Sequence, residues 1–137
     1  MLKKEFKALY RVYIEDTDAG GIVYYVNYLK FLERARTDWL ASGGFKQSKL
    51  FNFGVMFVIK SLSVEYISSA VLDDNLIVNV VIKRLNKTSL ELTQDIVRKD
   101  DSRILLTSRC TLVYLDFETR KPIRFSKELY TFFLKSS

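Results

Sequence analysis

The chain has 137 residues, 48% of them hydrophobic, with one cysteine, no histidine and a formal charge of +6. That length predicts one domain over residues 1–137, burying roughly two-thirds of its unfolded surface. Without histidine there can be no Ser-His-Asp triad, no Cys-His dyad and no histidine metal site. Carboxylates, tyrosines, hydroxyls, lysines and backbone dipoles must carry any chemistry, and no metal or redox cofactor is expected.

No stretch approaches the roughly 18 uninterrupted apolar residues of a membrane span. The basic N-terminus, MLKKEFKALYRVYIED, lacks the apolar core of a signal peptide. A lone cysteine, Cys110, allows no intrachain disulfide and suits a reducing, cytoplasmic setting. It sits beside the apolar TLVYL and reads as a small buried hydrophobe. The basic residues, among them Lys3, Arg11, Lys30, Arg36, Lys60 and Arg98, are scattered. They read mostly as solvated surface, not as the stripe of a nucleic-acid binder.

In chain order, residues 6–14 alternate Phe6, Ala8, Tyr10, Val12 and Ile14 against Lys7 and Arg11, the pattern of a half-buried strand. From 27 to 41 the period changes. Tyr28, Phe31, Leu32, Ala35 and Trp39 share one helical face, opposite Lys30, Glu33, Arg34 and Asp38. Asn27 is the expected N-cap and Gly43-Gly44 the stop. Four β-runs follow, at 54–68, 74–86, 88–99 and 103–117, separated by turns at Asp73-Asp74-Asn75, Asn86-Lys87 and Asp100-Asp101. Pro122 marks the close of the last strand, and 126–135 reads as a short helix capped by Ser126.

Short links between consecutive strands mean mostly antiparallel pairing. A helix of ~15 residues is ~22 Å long, and five strands at ~4.8 Å spacing span ~24 Å. The expectation is an α+β fold, a five-stranded mostly antiparallel sheet wrapped on one long central helix. Apolar residues left on the second face and the edges predict a homo-oligomer.

The most unusual stretch is EDTDAGGIVYYVNYLKFLERAR, residues 15–36. Asp18 stands before Gly20-Gly21, where the backbone can pass close to a ligand. The N–H groups near Tyr24, Tyr25 and Val26 approach a helix start, where donors are unpaired and negative charge is favoured. An ionised Asp18 there suits a nucleophile or a general base. The competing reading makes Asp16 and Asp18 turn or capping acids. Glu15 and Asp16 read as solvated strand-end charges. Tyr25 and Tyr28 are either packing aromatics or hydroxyls facing a ligand.

Tyr13 followed by this stretch resembles the hotdog-fold acyl-CoA thioesterases, in particular the YbgC-like branch of the 4-hydroxybenzoyl-CoA thioesterase family. The match is strongest over residues 8–40. It implies a hotdog fold, with Asp18 as the catalytic carboxylate and the Tyr25 N–H polarising the thioester carbonyl. Gly21 would lie against the substrate, with Asn27 and Tyr28 shaping the acyl pocket. Lys83, Arg84 and Lys87 fall in the region that meets the coenzyme. The resemblance further implies active sites at a dimer interface, with dimers often pairing into tetramers. Many members of the branch carry histidine at the position of Tyr25, whereas a tyrosine there is similar to the hydroxybenzoyl-specific members. The function expected is hydrolysis of an acyl-CoA to free acid and coenzyme A, with an acyl carrier protein as a further possible partner. The alternative is a non-catalytic module that binds acyl-CoA or acyl carrier protein.

Overall fold

The computed structural model describes residues 4–137; Lys3 of the basic set lies outside them. Strand β1 (Phe6–Arg11) leads through a short 3-10 turn (Ile14–Asp16) to helix α1 (Asn27–Ser42). A two-turn helix α2 (Gln47–Asn52) precedes strands β2 (Val55–Tyr66), β3 (Asn75–Leu85), β4 (Ser89–Arg98) and β5 (Arg103–Asp116), and helix α3 (Lys127–Ser136) ends the chain. The five strands form one sheet in the order β1-β3-β4-β5-β2, every neighbouring pair antiparallel. This is the hotdog arrangement that the sequence predicts. Among the described residues no helix is long and apolar enough to cross a membrane.

Alternation places Leu76, Val78, Val80 and Ile82 of β3, and Leu90, Leu92 and Ile96 of β4, on the inner face, where all are buried. Onto them α1 lays the predicted stripe of Tyr28, Phe31, Leu32, Ala35 and Trp39, each at most 3% exposed. The α1 backbone runs closest to β1 and β3. The other end of the sheet is closed by α3, whose Phe133 packs on Trp39, Phe57 and Phe125. Ser126 caps α3 as expected, accepting from the Leu129 N–H at 3.2 Å. Gly43 caps the C-terminus of α1 because nothing larger fits: a Cβ there would stand 2.5 Å from the Phe132 ring. Cys110 is buried, and that burial pushes its thiol pKa up.

Four expectations are corrected. The first strand stops at Arg11, and Ile14, expected on its inner face, is 76% exposed. The Asp16 and Thr17 N–H groups bond back to Tyr13 and Ile14, which turns the chain off the sheet. Asp16 is buried and not a solvated strand-end charge. Asn27 does not cap α1; that position is Val26, and the Asn27 side chain reaches back to Asp16. Arg36, counted among the scattered basic residues, is also buried.

Arg36 donates from Nη1 to Gln94 Oε1 at 2.8 Å, and Gln94 Nε2 donates to the Leu32 carbonyl at 3.0 Å. Burial lowers the guanidinium pKa from its usual value. A buried cation that loses its acceptor costs more than a neutral pair removed whole. Gln94→Leu should therefore lose about 2–4 kcal/mol of stability in urea unfolding. The double variant Arg36→Met/Gln94→Leu should lose less than that single change.

Candidate active site

The site grows from the connection between β1 and α1. Thr17 bridges Val23, the Asp18 N–H donates to the Ile22 carbonyl at 3.0 Å, and the Gly21 N–H donates to the Asp18 carbonyl at 3.1 Å. The turn is tight because Gly21 takes φ +75°, a left-handed conformation that side chains resist. Asp18 Oδ1 accepts from the Gly20 N–H at 2.9 Å. Among the described residues Oδ2 accepts nothing, and the side chain is exposed. Asp18 is thus a turn acid with one carboxylate oxygen free.

The hairpin leans on the segment between β2 and β3. The Leu72 N–H donates to the Gly21 carbonyl at 3.1 Å, Ile22 bridges Val71, and the Val23 N–H donates to the Ala70 carbonyl at 2.9 Å. Ala70 in turn donates its N–H to the Tyr28 hydroxyl at 2.8 Å. That segment is held to the sheet by Asp74, which accepts from Val71 at 2.9 Å and faces Arg98.

The chain then makes a four-residue turn closed by Asn27 N–H to Tyr24 carbonyl at 2.8 Å, and enters α1. Among the described residues the N–H groups of Tyr25 and Val26 have no acceptor. They stand at the positive end of a 16-residue helix. The Tyr66 hydroxyl donates to the Tyr25 carbonyl at 2.9 Å and fixes that peptide from the other side.

Asp18, Tyr24, Tyr25, Tyr28, Tyr66 and Ser68 line an open cleft of about 410 Å³. Burial raises the pKa of the Tyr28 hydroxyl, the Ala70 N–H partly opposing it. Burial likewise raises that of Tyr66, with Tyr25 adding to it. Both hydroxyls stay neutral at physiological pH. The cleft therefore brings an exposed carboxylate, Asp18, together with Tyr25, whose N–H is unpaired, among aromatic side chains.

Of the residues singled out in the sequence, the structure brings together Asp18, Gly21, Tyr25 and Tyr28. Asn27 is buried at 6% exposure and turns its side chain away from the cleft, onto Asp16. Lys83 and Arg84 lie at the far end of β3 and Lys87 in the turn beyond. That end is roughly 26 Å along the strand from the loop that supports the Asp18 hairpin, at ~3.3 Å per residue. Sequence reasoning missed Tyr66, whose place in the cleft depends on the pairing of β2 with β5. It also missed Asp16, although its position two residues before Asp18 was in view.

Comparison with known proteins gives the family and the fold. The model of the thioesterase-like superfamily matches residues 12–133. The acyl-CoA thioester hydrolase YbgC of Escherichia coli is 40% identical over 119 residues, 87% of this chain and 88% of that one. The acyl-CoA thioesterase YbgC of Haemophilus influenzae is 37% identical over 132 residues, 94% of each. In fold, the chain superposes on a 1,4-dihydroxy-2-naphthoyl-CoA thioesterase from Synechocystis with a TM-score of 0.89 at 21% identity, covering 95% of this chain and 96% of that one. The family match runs through the Asp18 hairpin, α1 and the whole sheet: the chain belongs to the thioesterase-like superfamily.

Proposed function

We propose that the protein hydrolyses acyl-CoA thioesters to a free acid and coenzyme A at the Asp18 cleft. The observation that carries this is that one cleft is lined by both Asp18, with its Oδ2 free, and Tyr25, whose N–H at the helix start has no acceptor. The thioester carbonyl oxygen sits at the Tyr25 N–H, where the charge that develops on it meets the helix start. Asp18 then acts in one of two ways. As nucleophile, Oδ2 bonds to the carbonyl carbon, the C–S bond breaks, and water hydrolyses the resulting anhydride to regenerate the carboxylate. As general base, it takes a proton from a water that attacks the same carbon. The tetrahedral intermediate then collapses with loss of the thiolate, and that proton ends on sulfur. The 40% and 37% identical relatives, named for acyl-CoA hydrolysis, support this substrate class. An acyl carrier protein presents the same thioester chemistry and is the second carrier to test.

The enzyme works as a homo-oligomer, a dimer or a tetramer, with the cleft at a subunit interface. In support, β2 is an edge strand of 12 residues whose inner-face Ile59, Leu62 and Tyr66 are exposed. Tyr66 is also a cleft residue, so a copy on this edge would wall the site. The distance along β3 favours Lys83, Arg84 and Lys87 meeting a coenzyme bound in a neighbouring copy's cleft over one in their own. A buried lone thiol at Cys110 fits a cytoplasmic enzyme.

Two measurements follow. Asp18→Asn keeps an oxygen to accept from Gly20, so folding should survive while thiol release from acyl-CoA falls by orders of magnitude. Binding of acyl-CoA without turnover in the native chain would favour a binding module instead. Tyr25 is the second residue of its turn, a position that accepts proline. Tyr25→Pro therefore removes one N–H with the turn kept, and should lower kcat about 100- to 1000-fold. Tyr25→Phe, which keeps the N–H, should retain most of the activity.

A further inference from the structure

We infer that Asp16 is a positioning residue for this reaction: it grips both ends of the turn that presents the free N–H groups. The inference rests on the thioesterase reading for its catalytic meaning. The Asp16 carbonyl accepts from the Tyr24 N–H at 3.2 Å, at the start of the turn. Its carboxylate Oδ1 accepts from Asn27 Nδ2 at 2.8 Å, at the end of the turn. Oδ2 accepts from the Tyr13 N–H at 2.8 Å, which anchors the clamp to the chain leaving β1. Tyr25 and Val26 are the two residues between the jaws.

The carboxylate is 3% exposed, and among the described residues no cation pairs with it. A buried carboxylate with no counter-ion is costly unless hydrogen bonds hold it. Here the two bonds use separate oxygens, each meeting a donor. An asparagine could keep both contacts only with its oxygen on Tyr13 and its NH2 donating to an Asn27 amide turned over to present Oδ1, and an alanine keeps neither. The site therefore requires at 16 a side chain that accepts from Tyr13 and bonds the Asn27 amide, even though a turn does not. Asp16 touches nothing in the cleft; it acts through the turn.

Removing the side chain and then restoring its hydrogen bonds tests this. In Asp16→Ala, which leaves the Tyr13 N–H and the Asn27 amide without their acceptor, kcat should fall by about 10- to 100-fold, the scale of a displaced catalytic group, with KM changed far less. In Asp16→Asn the oxygen accepts from Tyr13 and the NH2 donates to a turned Asn27 amide, so kcat should recover most of the loss. Hydrogen exchange of the Tyr24 and Asn27 amides gives a readout independent of turnover. It should speed up in Asp16→Ala and return in Asp16→Asn. If Asp16→Ala does not fold, Asn27→Ala decides, because it opens one jaw only: a lowered kcat with faster Tyr24 exchange supports the clamp, and both unmoved overturns it. An active native enzyme whose kcat is unmoved by Asp16→Ala, or not restored in Asp16→Asn, overturns the inference and leaves the thioesterase reading standing. A native chain that hydrolyses no acyl-CoA, with exchange still following the loss and return of the side chain, overturns that reading and the catalytic role while leaving the clamp itself.

Discussion

Burial of one face of α1 against the sheet is the constraint on which the rest depends. Phe31, Leu32 and Ala35 are fully removed from water, and they meet an inner face whose β3 and β4 side chains are equally buried. Buried apolar area is worth roughly 25 cal/mol per Å², and such close-packed interiors tolerate little displacement. The helix therefore cannot slide along the sheet, and the place of its first turn is set by residues that do not line the cleft. What stands at that turn, the peptide N–H groups of Tyr25 and Val26, inherits the precision of the core.

The hairpin that carries Asp18 has a smaller apolar anchor, Val23, which is buried in the core. It is positioned by backbone hydrogen bonds from Gly21, Ile22 and Val23 to the 70–72 segment, and that segment is tied to the helix through Ala70 and Tyr28. Core packing thus fixes the donors, and a hydrogen-bonded ladder fixes the carboxylate. The two supports meet at Asp16, which belongs to the same loop as Asp18 and bonds to the first residue of α1. Such a division suits catalysis, because donors aimed at developing charge work only when they do not have to reorganise. The Asp18 carboxylate can remain exposed in the cleft.

Features with a period or local turn chemistry were legible in the sequence. The stripe from Tyr28 to Trp39 predicts α1, and β-rich runs bounded by turn signals predict the four long strands to within a residue or two at each end. The glycine turn at Gly20-Gly21 and the cap at Ser126 are local chemistry and stand where expected. What was not legible depends on distant partners. Asp16 reads as a surface acid until Asn27, eleven residues on, folds back onto it. Arg36 reads as a surface cation until Gln94 of β4 lies beneath it. Asn27 has the right residue type for a cap, but its side chain is claimed by Asp16, and Val26 takes the cap position. Tyr66 enters the cleft only because the sheet order sets β2 at the edge beside β5. For the site, the residue types around Asp18 pointed to the loop that lines the candidate cleft. The wall opposite and the clamp behind it required the fold.

The central claim is geometric: the thioester carbonyl lies between the Asp18 carboxylate and the N–H groups at the start of α1. It is tested most directly by a crystal structure with an inert acyl-CoA analogue in which sulfur is replaced by methylene and the carbonyl is kept. The account predicts the carbonyl oxygen about 3 Å from the Tyr25 nitrogen, with Asp18 Oδ2 facing the carbonyl carbon. An analogue whose carbonyl turns away from Tyr25, or whose acyl end occupies another part of the molecule with Asp18 still closed on Gly20, would contradict it.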